Sequence, residues 1–334
     1  MKTKDEREWD VLDSVFELDE KIVDVVKSEQ PDFILDYQGT KTGVEITELY
    51  YNDSMARFHN QKNYLGDILL NNKIHKDDRT ILKPMDIIYY GKSNGYIPFE
   101  TKMLPKPKYN LDDFRKSFSL SLEKKEVSKI KYNQELEQCS LIIFDKEDAF
   151  KEIDADNFHA SFIDDGIFNS VISSSFDEIF LLVQLKNNQM GFTQLKLACL
   201  LFEINRLFDY IAENQDKFNN EILSKATHQI VFAEVLLRRN IENIFIFNIY
   251  EKFVTSTQQY GIGFTHDPNN TNKISIFDHF PRLYKESTPV TLESLPYNLF
   301  DDDTFKHYCE EVKNKRMSCG IPFLNKKYGY QFKP

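Results

Sequence analysis

The segment PDFILDYQGTKTGVEIT, residues 31–47, constrains this chain most. Its two apolar runs are short and rich in β-branched and aromatic residues, and QGTKTG between them carries two glycines that suit a tight reversal. The pattern predicts an antiparallel hairpin with strands at about 32–38 and 43–50. Asp32 begins the first strand and Glu45 sits in the middle of the second, so at about 3.3 Å per residue their backbones lie side by side. Two facing carboxylates repel unless a cation sits between them, and a hard, oxygen-seeking ion such as Mg²⁺ (or Mn²⁺) meets that need. Val44 and Ile46 flank Glu45, which places Glu45 on one face of a strand whose other face is core. The alternative is an Asp32 that caps a turn and a Glu45 that faces solvent.

Around this hairpin the chain predicts a helix over 5–28, strand candidates MDIIYYG and GYIPFE after a polar stretch to about residue 83, a helix over 111–137 and a strand over 139–145. The order is α-β-β-β-α-β. Beyond residue 150 come an apolar strand, EIFLLVQL, two amphipathic helices within 192–239, a strand NIFIFNIYEKF and a loop-rich end. The expected class is α/β, with a core over 1–150 and a C-terminal α+β region over 151–334.

At 100° per residue, Leu12, Val15, Phe16, Ile22, Val23 and Val26 form one apolar stripe of the first helix, opposite Asp13, Glu17, Glu20 and Asp24. Glu8 and Asp19 break that stripe. A carboxylate there costs several kcal/mol unless something compensates it. For Glu8, a first-turn acid favoured by the helix N-terminus is the competing explanation.

Pro31-Asp32 followed by Glu45-Ile46-Thr47 resembles the PD-(D/E)XK nuclease superfamily in its PDF…GxExT variants. The resemblance covers roughly the first 145 residues. It implies a restriction-endonuclease-like α-β-β-β-α-β core and a Mg²⁺- or Mn²⁺-dependent endonuclease acting on nucleic acid, DNA first, in restriction or anti-phage defence. It assigns the metal to Asp32, Glu45, Glu8 and Ile46, and catalysis to Asp32, Glu45 and the position of Thr47, where the family carries a lysine. Thr47 supplies no positive charge to orient water or stabilise the phosphorane. In similar families that lysine has moved to the second core helix, where Lys125, Lys129 and Tyr132 share one face here. Lys129 is the expected substitute and Lys41, in the turn, the second.

Charge bears on partners. The net charge is −11, yet residues 101–133 hold nine Lys/Arg against four Asp/Glu, and residues 312–334 hold six Lys/Arg and no acid. Lys125, Lys313, Lys315, Arg316, Lys326 and Lys327 are therefore the expected phosphate contacts, and residues 145–165, with eight acids against two lysines, repel a phosphate backbone. Two other classes stay open: a catalytically degenerate nucleic-acid-binding module, and an interaction subunit that uses the helices within 192–239 for a homodimer or another protein. No run approaches the roughly 20 apolar residues of a membrane span, and the N-terminus lacks a signal-peptide core, so a cytoplasmic protein without membrane partners is expected. The four cysteines form no Cys-x-x-Cys pair, and there is no phosphate-loop or Gly-x-Ser-x-Gly signature.

Overall fold

The computed structural model describes residues 3–16, 18, 23–37, 40–90, 98–105, 110–132, 135–154, 157–186, 190–225, 227–249, 252–257, 260–265, 273–278 and 287–313. Its centre is a six-stranded mixed sheet of β1 (Val23–Lys27), β2 (Phe33–Tyr37), β3 (Thr40–Leu49), β6 (Gln138–Asp145), β7 (Glu178–Gln184) and β8 (Met190–Gln194), in that order across the sheet. β1, β2 and β3 form an antiparallel meander, β6 and β7 continue parallel to β3, and β8 closes the far edge antiparallel.

Each face of the sheet has its own apolar layer. On one, α1 (Lys4–Val15) sets Val11, Leu12 and Val15 against Phe33, Leu35, Val44, Ile46 and Ile142. On the other, α4 (Leu111–Lys129), α5 (Phe158–Phe162), α6 (Asp165–Ile172) and α7 (Leu195–Glu213) cover Leu49, Leu141, Ile143, Ile179 and Leu181. With both faces covered, β6 carries the continuous apolar run 141–144, whose successive side chains go alternately to the two layers.

The first helix is shorter than its periodicity predicts. Thr3 and Glu6 close a capping box at its start, it stops at Val15, and the β-branched run VDVVK pairs with β2. Val26 is consequently exposed, and Asp19 and Ile22 lie outside the described residues. Gly43 belongs to β3, not to the turn: a Cβ there would stand 2.7 Å from both Pro31 Cγ and Leu136 Cδ1. The motif's proline thus packs on the motif's glycine.

The third strand of the meander is β1; residues 85–90 of MDIIYYG and 98–100 of GYIPFE do not join the sheet, and Gly91 and residues 95–97 lie outside the described residues. The described parts form a separate ribbon of β4 (Met85–Tyr90) and β5 (Pro98–Met103) within an insertion between β3 and α4. The insertion also holds α2 (Asp53–Asn60) and α3 (Tyr64–Asn71), with a small core of Met55, Tyr64, Ile68 and Leu82. α4 ends at Lys129, eight residues short of the predicted end at 137.

Residue 150 is no structural boundary, because β7 and β8 complete the same sheet. Beyond α7, the expected second helix is two, α8 (Asn220–Lys225) and α9 (His228–Arg238). The segment NIFIFNIYEKF supplies two antiparallel strands, β9 (Phe245–Ile249) and the start of β10 (Lys252–Ser256), extended by β11 (Tyr260–Thr265) and β12 (Lys273–Asp278) into a four-stranded antiparallel sheet. A helix α10 (Asp302–Val312) packs on α7. The apolar faces of α7 and α9, expected to meet a partner, are covered by this chain's own strands and by α10. Among the described residues no helix is long and apolar enough to cross a membrane.

Candidate active site

β2 begins at Phe33, opposite Val44, so β3 runs on beyond its neighbour and from Glu45 onward has an open edge on that side. Asp32 stands at this notch. Its Oδ2 accepts the Ile46 backbone N–H at 2.8 Å, taking the place of a missing strand partner. A strand residue directs its N–H and C=O to the same side, so the Ile46 carbonyl opens toward the notch as well.

Glu45 projects from the face opposite Val44 and Ile46, toward α4. Its Oε1 accepts a hydrogen bond from Lys125 Nζ, while its Oε2 is buried with no hydrogen-bond partner. The Tyr132 hydroxyl is also buried, and its pKa is pushed far up by burial, then by the Glu45 charge and by hydrogen bonding with that carboxylate. On the α1 side, Glu8 is held by two lysines: Lys4 Nζ lies 3.2 Å from Oε1, and Lys27 Nζ bonds Oε2 while standing 3.9 Å from Asp32 Oδ1. Lys27 also lies over the Phe33 ring, 4.3 Å from its centroid.

Of these groups Lys4, Glu8, Asp32, Glu45, Ile46 and Lys125, joined by Thr47, line one cleft of about 820 Å³. Arg7 and Glu48 close it, joined by an Nε to Oε1 bond of 3.2 Å. Burial first, then the Glu45 charge, raise the Asp32 carboxyl to about 6, against the Ile46 N–H that lowers it. The repulsion expected between facing carboxylates therefore acts on Asp32.

The lysine assignments need correction. Lys129 does not reach the cleft: its ammonium donates to the Ser175 carbonyl and lies over the Phe176 ring. It sits in the last turn of α4, beside the loop that leads into β7. Lys125, one turn earlier, is the lysine on Glu45; expected as a phosphate contact, it is engaged inside the site. Lys41 stands four residues up β3 and, among the described residues, pairs with Glu135, at 4.0 Å. Thr47 lines the cleft without charge. Glu8 has both oxygens on lysines, and among the described residues no three His, Cys, Asp or Glu side chains are arranged to hold a metal ion.

Lys313 follows α10 and does not line the cleft, and Lys315, Arg316, Lys326 and Lys327 lie outside the described residues. Sequence reasoning passed over Lys27, Arg7 and Glu48. The one available signal was the β-branched VDVVK run, which as a strand carries Lys27 to the end facing Asp32. Compared with protein-family models, with curated proteins and with solved structures, the chain matches none.

Proposed function

We propose that the chain is a metal-dependent phosphodiester hydrolase, an endonuclease of the PD-(D/E)XK kind that acts on DNA in restriction or anti-phage defence. The observation that carries this reading is the notch, where Asp32 and Glu45 share one cleft and one buried Glu45 oxygen has no partner. The succession α1, β1, β2, β3, α4, β6, with β6 parallel to β3, supports it too.

The donors fit a hard divalent cation. Asp32, Glu45 Oε2 and the Ile46 carbonyl are all oxygens, and one or two carboxylates with the remaining positions left to water and phosphate is how Mg²⁺ is commonly held. Bound there, Mg²⁺ or Mn²⁺ would supply Lewis-acid polarisation of the phosphate and a water acidic enough to yield hydroxide near neutral pH. Lys125 brings an ammonium to Glu45 and takes the part expected of Lys129: it stabilises negative charge as it develops on the phosphate oxygens. Lys27 ties Glu8 to the notch and keeps a positive charge beside Asp32.

A second reading rests on the same lysines. Lys27 and Lys125 already offset the notch carboxylates, as in a degenerate module that binds nucleic acid without cutting it. Incubation with supercoiled plasmid, single-stranded DNA and RNA, with Mg²⁺, Mn²⁺ or EDTA, separates the two. The nuclease reading expects cleavage that needs the metal and falls by roughly a hundredfold or more in Glu45→Ala. No cleavage with either metal, together with nucleic-acid binding unchanged in Asp32→Ala, establishes the second reading instead.

A further inference from the structure

A nucleic acid approaching this notch meets carboxylates on every side, and the cations near them are already engaged. Lys4 is on Glu8, Arg7 on Glu48 and Asn60, and Lys125 on Glu45. Lys62 is different: it lines the same cleft, is exposed, and has no hydrogen bond or ion pair among the described residues. It stands just past α2, in the insertion that follows β3.

The residue before it, Gln61, borders a second depression of about 730 Å³ on the insertion, lined also by Asp67, Lys73, His75 and Arg79. Lys73 and Arg79 are likewise exposed, and their side chains have no partner among the described residues. The nearby acids are partly occupied: Asp67 Oδ1 accepts from Asn71 Nδ2 at 2.9 Å, and Asp77 lies 3.5 Å from His75 Nδ1. The segment 60–62 thus separates the acidic cleft from a basic hollow, and unpaired cations stand on both sides of it.

The hollow is held in shape from beneath. Asp78 is fully buried and takes Arg57 Nε in a forked bond of 3.2 and 3.1 Å, together with the Tyr64 hydroxyl at 2.7 Å. Tyr64 Oη in turn accepts the His75 backbone N–H at 2.8 Å. The Arg57 guanidinium holds the Asp78 carboxyl well below the usual carboxylate range. The turn that carries His75 and Arg79 is therefore fixed by a buried, charge-assisted network. A preorganised cation loses less freedom when it meets an anion.

We propose that the insertion between β3 and α4 is the substrate-backbone track: the nucleic acid leaves the notch over the segment 60–62, and Lys62, Lys73 and Arg79 each meet a phosphate. This rests on the nuclease reading and moves substrate contact from the C-terminal region to the insertion. Phosphate contacts position a nucleic acid without reading its sequence, so the track serves DNA of any sequence.

The test is binding in EDTA, where no cleavage intervenes, by fluorescence anisotropy with a labelled duplex, a single-stranded DNA and an RNA across a fourfold range of salt. Each phosphate contact contributes about 0.9 to the slope of log K against log salt for duplex DNA. The triple variant Lys62→Ala/Lys73→Ala/Arg79→Ala is expected to lower the duplex slope by about 2.7, the equivalent of a roughly 40-fold affinity change across that salt range. The charge-matched control Lys116→Ala/Lys306→Ala/Lys313→Ala is expected to keep the wild-type slope. Circular dichroism on both variants separates a lost contact from a lost fold. Wild-type protein that binds and cleaves while the track variant keeps its slope and affinity overturns the track and leaves the nuclease reading standing. Wild-type protein that binds none of the three nucleic acids overturns both.

Discussion

Glu45→Gln keeps the size and burial of the side chain and removes its charge, so it isolates one cause of the raised Asp32 pKa. In the metal-free protein that carboxyl is raised from 3.8 to about 6, about 3 kcal/mol against ionisation. Burial is the larger cause and Glu45 the second, so the glutamine variant should lower the Asp32 pKa while leaving it above 3.8. A carboxyl raised in the fold keeps its proton at pH values where the unfolded chain has already lost it. Its contribution therefore favours the fold most below about pH 4 and is lost as the pH rises to about 6. The Asp32 carboxyl ¹³C shift, followed through a pH titration in EDTA and assigned with Asp32→Asn, measures this directly. An Asp32 that titrates near 3.8 in the wild type, or does not move in Glu45→Gln, refutes the claim that the two carboxylates feel each other.

Lys125→Ala should slow cleavage by roughly a hundredfold, whereas Lys129→Ala should change it by no more than a few-fold; the reverse order in a single-turnover assay would restore Lys129 to the site. Glu178, fully buried and bonded by Tyr260 from the second sheet, is raised to about 7 mainly by burial, so stability should fall by about 3 kcal/mol as the pH rises from about 4.5 through 7. Urea unfolding of Glu178→Gln at the two ends of that window should lack this decline, and a decline of the same size would place its source elsewhere. Gly43→Ala brings a Cβ to 2.7 Å from Pro31 and Leu136 and should destabilise by about 1–3 kcal/mol; an unchanged urea midpoint would mean that the proline and glycine do not pack on each other.

The hairpin was legible because alternation is a local signal: Val44 and Ile46 on one side of Glu45 name the core face before any tertiary contact is known. The strand over 139–145 was legible for a similar reason, through the apolar run LIIF at 141–144 that both faces of the sheet cover. The first helix misled because Val23 and Val26 fit the helical stripe as well as the strand they form, and only pairing with β2 decides between the two. The choice between Lys125 and Lys129 was closed to sequence. Both lie on one side of α4, and which of them reaches β3 depends on how far the helix runs along the sheet and on the Ser175 carbonyl that captures Lys129. The ribbon of β4 and β5 reads as core strands by composition, and its departure from the sheet is a matter of topology that residue type does not encode.

The proposed chemistry requires Asp32 and Glu45 to hold one divalent cation between them. Titration of the metal-free protein with Mn²⁺, followed by electron paramagnetic resonance, tests it most directly. One bound ion per chain is expected in the wild type, displaced by Mg²⁺ and lost in both Asp32→Asn and Glu45→Gln. A wild type that binds no Mn²⁺, or variants that bind it as well as the wild type does, would contradict it.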